Sequence, residues 1–269
     1  MLPAFSTIAL PSRYLHLPDV RIHYRVMGEG PPVVLLHGLG SSGSDWFPVA
    51  PYLAPDYRLL LVDLRGHGHS SLARTGYGMA AMAADVVAVL AAEGVEQAAL
   101  VGLSLGGCVA LQTALAAPER VSSLVLINTF AKLRSNGMRW SRLVRLRRAL
   151  GDADGLARLV AASLFDDPEA QALVFERLRR NDVGAIRRTM WAVARFDVRR
   201  RLGRVTAPVL VLTGDRDRTV PRLCTADLVA ALPAARLQTI PDSGHALPYD
   251  QPEAFAAAVR GFLRHPHHN

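Results

Sequence analysis

The sequence predicts an α/β protein: a mostly parallel sheet of about eight strands, helices on both faces, and an inserted helical cap. Three observations carry that prediction. Short, wholly apolar runs recur along the chain, which suits strands buried on both faces. Alanine-rich stretches of helical spacing lie between them, and strand–helix alternation is how parallel sheets are built. One long block breaks the alternation and carries a helical pattern throughout.

Taken in order, residues 21–26 alternate apolar and polar and predict a strand with one covered face. Residues 33–36 form an apolar run ending at His37-Gly38, and residues 59–62 another ending at Asp63. Residues 79–92 are Ala-rich and helical. The run 98–103 ends at Ser104, helix 106–116 follows and Pro118 stops it. Residues 124–127 end at Asn128. In the block 129–204, Gly151, Gly155, Pro168 and Gly184 punctuate an Arg-, Leu- and Ala-rich pattern into three to five helices. Thr206-Ala-Pro introduces a strand at 209–212. Residues 237–240 form the last strand and 252–263 the closing helix, with a frayed tail from His265. Residues 1–128 and 205–269 therefore make the core domain and 129–204 the cap.

Composition narrows the function. Half of the 269 residues are hydrophobic and 20% are charged, as in a globular enzyme with one large core. Apolar stretches are interrupted well before the roughly 18 residues of a membrane span, so no stable membrane association is expected. Residues 1–10 carry no basic residue and no long apolar core, so no secretory signal is expected. Two cysteines, Cys108 and Cys224, make no disulfide framework. Together these predict a cytoplasmic protein. The net charge of +8 is concentrated: residues 129–204 hold 18 Lys+Arg against 8 Asp+Glu. No nucleic-acid module accompanies that charge. An Arg-rich cap face instead predicts some preference for anionic small substrates.

The chemistry centres on Gly102-Leu-Ser-Leu-Gly106, a strand, a sharp turn and a helix start. Small residues at Gly102 and Gly106 let strand and helix approach closely, with the Ser104 hydroxyl lifted clear. A serine hydroxyl needs a base, an orienting acid and oxyanion donors. His245, in Asp242-Ser-Gly-His, follows the last strand and is the predicted base. Functional loops of open α/β sheets gather at the carboxyl ends of strands. The loop Thr213-Gly-Asp-Arg-Asp offers two acids, Asp215 and Asp217, between which spacing does not choose. The corresponding position after an earlier strand is Asn128, which carries no charge. The Leu105 N–H, on the first turn of a helix, is one predicted oxyanion donor. The Leu39 N–H, in the loop His37-Gly-Leu-Gly, is the other. His37 is expected to support that loop. Trp140 and Trp191, in the cap, are candidates for lining the substrate pocket.

These motifs resemble the α/β-hydrolase superfamily. The resemblance rests on His37-Gly38-Leu39-Gly40 with Trp46, Asp63-Leu-Arg-Gly-His-Gly-His-Ser70, Gly102-Leu-Ser-Leu-Gly-Gly107, Gly214-Asp-Arg-Asp217 and Gly244-His245. It implies Ser104 as nucleophile, Asp217 as acid, His245 as base, and Leu39 and Leu105 as oxyanion donors. It also implies a structural role for 63–70, so that no metal is expected at His67 and His69, and a cap over the site. Within the superfamily, small carboxylesterases and enol-lactone hydrolases are the most similar. Relatives with aspartate at the nucleophile position form alkyl esters, whereas serine implies an acyl-enzyme. The expected activity is cofactor-free hydrolysis of a small carboxylic ester or lactone. C–C bond hydrolysis, perhydrolysis and non-catalytic ligand binding are the alternatives.

Overall fold

The structure, a computed structural model, describes residues 10–134, 152–164, 168–233 and 235–266. The strands are β1 (Arg13–His16), β2 (Arg21–Met27), β3 (Pro32–Leu36), β4 (Arg58–Val62), β5 (Ala98–Leu103), β6 (Val121–Ile127), β7 (Val209–Gly214) and β8 (Ala235–Ile240). They form one eight-stranded sheet in the order β1-β2-β4-β3-β5-β6-β7-β8. β2 pairs antiparallel with β1 and β4, and all other pairings are parallel. The predicted fold class is borne out. β1 was not foreseen, because its edge-strand side chains are mostly exposed and leave no apolar run.

The described α-helices are α1 (Ala50–Leu53), α2 (Met79–Ala92), α3 (Leu105–Ala116), α4 (Ala153–Leu164), α5 (Pro168–Leu178), α6 (Val183–Arg195), α7 (Arg222–Ala231), α8 (Leu247–Asp250) and α9 (Pro252–Arg264). The apolar runs are continuous because both sheet faces are covered. Val34, Leu36, Leu100, Leu124 and Leu126 pack in the layer that holds Val86, Val109 and Leu228 of α2, α3 and α7. Their neighbours Val33, Leu35, Val101, Val125 and Ile127 pack in the other layer, with Trp46 and with Phe255, Val259 and Phe262 of α9. Each such burial stabilises by about 1.5–3 kcal/mol.

Register aligns the strand ends. Leu36 pairs with Gly102, Gly102 with Leu126, and Leu126 with Val211. His37, Ser104, Asn128 and the loop after β7 therefore leave the sheet along one edge. Between β6 and β7, α4 and α5 share a small core of Ala157, Ala161 and Leu178, flanked by Val160, Val174 and Phe175. Asn181 Nδ2 joins this layer to the body by donating to Gly40 O at 2.6 Å. Among the described residues no helix is long and apolar enough to cross a membrane.

The loop after β4 hangs on Asp63, which is fully buried. Its Oδ1 accepts from Gly43 N at 2.6 Å, and its Oδ2 accepts from His69 N and from His23 Nδ1, each at 2.8 Å. Burial alone would raise the Asp63 carboxyl, but hydrogen bonds from His23 and His69 outweigh it and hold the carboxyl well below the usual range. A carboxyl depressed in the folded state stabilises above its unfolded value, about 3.9, and that stabilisation is lost as pH falls. Asp63→Asn should therefore cost roughly 3–5 kcal/mol near neutrality. Its deficit against wild type should shrink below about pH 4. Urea denaturation across a pH series measures this, and a pH-independent deficit would contradict the assignment.

Candidate active site

Ser104 sits between β5 and α3 with φ 53° and ψ −110°. For a non-glycine residue this backbone is strained, and it persists only where the surroundings over-determine it. Here they do. A Cβ on Gly106 would lie 2.0 Å from Leu36 O, and one on Gly102 would lie 2.4 Å from the Gly106 carbonyl. Both positions must be glycine for helix and strands to cross this closely. The Ser104 backbone is fully engaged: its N–H donates to Ile127 O at 2.9 Å, and its carbonyl accepts from Thr129 Oγ1 at 2.6 Å and Gly107 N at 3.0 Å.

A cleft of about 590 Å³ opens over Ser104. His245 and Leu39 also line it. The cap contributes Val160, Val174, Leu178, Arg177, Arg180 and Asn181. His245 is buried, and its Nδ1 lies 3.1 and 3.2 Å from the two carboxylate oxygens of Asp217. Nδ1 is thereby the protonated nitrogen and Nε2 the basic one. Asp217 Oδ1 also accepts from Thr219 N at 2.8 Å and Val220 N at 3.2 Å. Asp215 does different work: its Oδ1 accepts from Ser243 N at 3.1 Å, and this backbone hydrogen bond lowers its pKa. Among the described residues no hydrogen bond joins Ser104 to the His245 ring, and none takes up the Leu39 or Leu105 N–H.

Asn128 organises this edge, a role its residue type alone did not reveal. It is 1% exposed. Its Nδ2 donates to Gly244 O at 3.0 Å and His245 O at 2.9 Å, while Oδ1 accepts from Gly214 N at 3.0 Å. One amide thus ties the end of β6 to both the loop bearing Asp217 and the loop bearing His245. Its position beside the other strand ends was the available signal. Its positive φ of 44° is tolerated by asparagine.

His37 is fully buried. Its Nδ1 donates to Gly38 O at 2.7 Å and its Nε2 accepts from Leu64 N at 3.0 Å, so it fixes the loop carrying Leu39. His67 is buried too, and desolvation pushes its pKa down to about 3. It keeps company with His37 rather than with His69. Among the described residues, the side chains that could jointly hold a metal are His23, Asp63 and His69, whose donor atoms lie within 4.8 Å of one another. Sequence spacing did not show His23. Asp63 already accepts from three donors there, which describes a structural knot.

Trp140 lies outside the described residues. Trp191 does not line the cleft. It is 60% exposed, its ring faces Arg195, and it borders a separate shallow hollow with Tyr77 and Arg188. The expectation for it is corrected for a geometric reason. Ala185, Ile186 and Thr189 form the buried side of α6, and Trp191 lies about 140° around the helix from Ile186.

Comparison with known proteins agrees with this geometry. The family model for the alpha/beta hydrolase fold matches residues 31–252. A Variovorax paradoxus protein assigned as the carbamate hydrolase RutD is 35% identical over 257 residues, spanning 90% of this chain and 96% of the relative. The crystal structure of a hydrolase from Pseudomonas aeruginosa superposes with a TM-score of 0.85 at 30% identity, over 95% of this chain and 99% of that one. The enol-lactonase of Burkholderia xenovorans gives a TM-score of 0.85 at 26% identity, over 94% and 100%. The chain is therefore an enzyme of the α/β-hydrolase family.

Proposed function

We propose that this enzyme hydrolyses a small carboxylic ester or lactone through an acyl-enzyme on Ser104. One observation carries the reading. A strained serine at a strand–helix elbow shares a cleft with His245, and the far nitrogen of that imidazole is held by Asp217. In this reading Nε2 takes the Ser104 proton as Oγ attacks the carbonyl carbon. Asp217 keeps the productive tautomer and stabilises the imidazolium. The tetrahedral oxyanion is received by the N–H groups of Leu39 and Leu105. The proton then passes from His245 to the leaving oxygen, and water repeats the cycle to release the acid. No step calls for a metal or organic cofactor. The cap, extended to residues 129–204, acts as a lid whose Val160, Val174 and Leu178 make an apolar wall.

A cleft of about 590 Å³ suits a small substrate. The enol-lactonase neighbour favours esters and lactones. The relative assigned as a carbamate hydrolase favours adding carbamates, whose carbonyl is open to the same attack. A panel of p-nitrophenyl esters, lactones and carbamates ranks the three.

Ser104→Ala and His245→Ala should each lower kcat by at least about a thousandfold while leaving the thermal midpoint nearly unchanged. Fluorophosphonate labelling should vanish in Ser104→Ala. Should that variant keep a tenth of wild-type kcat, the nucleophile lies elsewhere.

Asp217→Asn should lower kcat by on the order of 10³–10⁴-fold, because the amide disfavours the needed tautomer. Asp215→Asn should mainly lower stability. Equal losses of kcat would return the acid to an open choice.

Asn128→Ala should lower kcat roughly ten- to a hundredfold with KM little changed, since it loosens acid and base together. The downfield His245 Nδ1–H resonance should broaden in parallel. A change in stability alone, with kcat and that resonance intact, would limit Asn128 to a structural role.

A further inference from the structure

The cleft over Ser104 holds more positive charge than its acid can neutralise. Arg25, Arg177 and Arg180 line it, with Asp45 as the acidic residue among its described lining. Asp45 is already engaged. Tyr249 Oη donates to it at 2.9 Å, Arg177 Nη1 lies 3.6 Å away, and Ser41 Oγ donates to its second oxygen. Arg25 and Arg180 differ from Arg177 in that their side chains have no hydrogen bond or ion pair among the described residues. Arg25 comes from β2, on the body side, where its half-buried guanidinium lies over the Phe47 ring at 5.8 Å. Arg180 comes from the cap, between α5 and α6. Two cations on different walls of one cleft repel each other and remain unneutralised.

A guanidinium stacked on a ring keeps its planar N–H edge free, and that edge matches a carboxylate bidentately. Several arginines of the same segment as Arg180 meet acids instead. Arg179 pairs with Asp154 and Glu176, Arg158 approaches Asp154, and Arg199 pairs with Asp197. Arg25 and Arg180 keep their charge at the cleft beside Ser104, where the walls strengthen its field.

We propose that Arg25 and Arg180 form a carboxylate subsite, and that the preferred substrates are short esters or lactones bearing a second, free carboxylate. This rests on the ester-hydrolysis reading for what happens at Ser104, but the subsite itself is a binding claim. The carboxylate sits between body and cap, with the scissile carbonyl at the elbow.

The test compares the p-nitrophenyl monoester of glutaric acid with p-nitrophenyl pentanoate. The readout is the ratio of their kcat/KM values, anionic over neutral. A general structural defect lowers both and leaves the ratio alone. The wild-type ratio should exceed one and fall roughly tenfold in Arg25→Gln or Arg180→Gln, mainly through KM. It should fall further in the double variant. About 0.5 M salt should reduce the wild-type ratio and spare the double variant's. A wild-type ratio at or below one, or a double variant within roughly twofold of wild type, overturns the proposal. Calorimetric titration of glutarate into Ser104→Ala protein tests the subsite without turnover. Binding lost on adding both arginine substitutions supports it, and binding that is absent or survives them overturns it. A protein that binds glutarate in this arginine-dependent way, yet cleaves neither ester, would keep the subsite and remove the ester reading.

Discussion

The amide of Asn128 is the constraint on which the arrangement at the sheet edge depends. Ser104, Asp217 and His245 stand on three loops, 113 and 28 residues apart along the chain. Strand pairing fixes where β5, β6 and β7 end, but it does not fix the paths of the loops that follow. Asn128 supplies that second level. It donates to the carbonyls of Gly244 and His245 and accepts from the N–H of Gly214. A carboxylate could not replace it, because two of its three partners are acceptors and need donors. The same reasoning explains why an uncharged residue stands where the acid could otherwise have been housed. Here the strand-end position is occupied by the brace, and Asp217 stands on the next loop.

How much of this was legible in the sequence follows from the range of the interactions. The apolar runs at 33–36, 98–103 and 124–127 report burial on both faces, and the structure finds their alternate residues in two layers. The Gly-x-Ser-x-Gly turn is equally local, since its glycines answer contacts within the elbow and to the adjacent strand. Asp215 and Asp217 were indistinguishable by spacing. They separate only when the loop folds and its hydrogen bonds turn one carboxylate toward Ser243 N and the other toward the imidazole. His23 was invisible for the same reason: it stands 40 positions before Asp63, and only the antiparallel pairing of β2 with β4 brings them together. Trp191 shows the converse error. Helical periodicity says that a side of α6 is buried, and the contacts of Ala185 and Ile186 decide which side.

The charge distribution carries a similar lesson. Net charge located a positive segment between β6 and β7, yet Lys132, Arg134, Arg158, Arg179 and Arg199 are held in exposed ion pairs worth little each. Its functional content lies in the exceptions. One of the two unpaired cations in the cleft, Arg25, comes from the body rather than the cap. Segment composition therefore gives the sign of the charge but does not name the side chains that line the cleft.

The elbow and the cap also solve opposite problems. At Ser104 the backbone is held at positive φ by glycines that allow no alternative packing. That rigidity aims the hydroxyl and the first amide of α3 at one point, and preorganised donors of this kind need no reorganisation as charge develops. Helices α4 and α5 pack on each other through a core of three buried side chains. Their link to the body at the cleft includes the Asn181–Gly40 hydrogen bond and the Arg177–Asp45 pair. A small core and polar ties belong to the low-stability end of a fold, from which opening segments are drawn. In the proposed reading, chemistry falls to the rigid elbow, and access and selection to the helices held by contacts that water can replace.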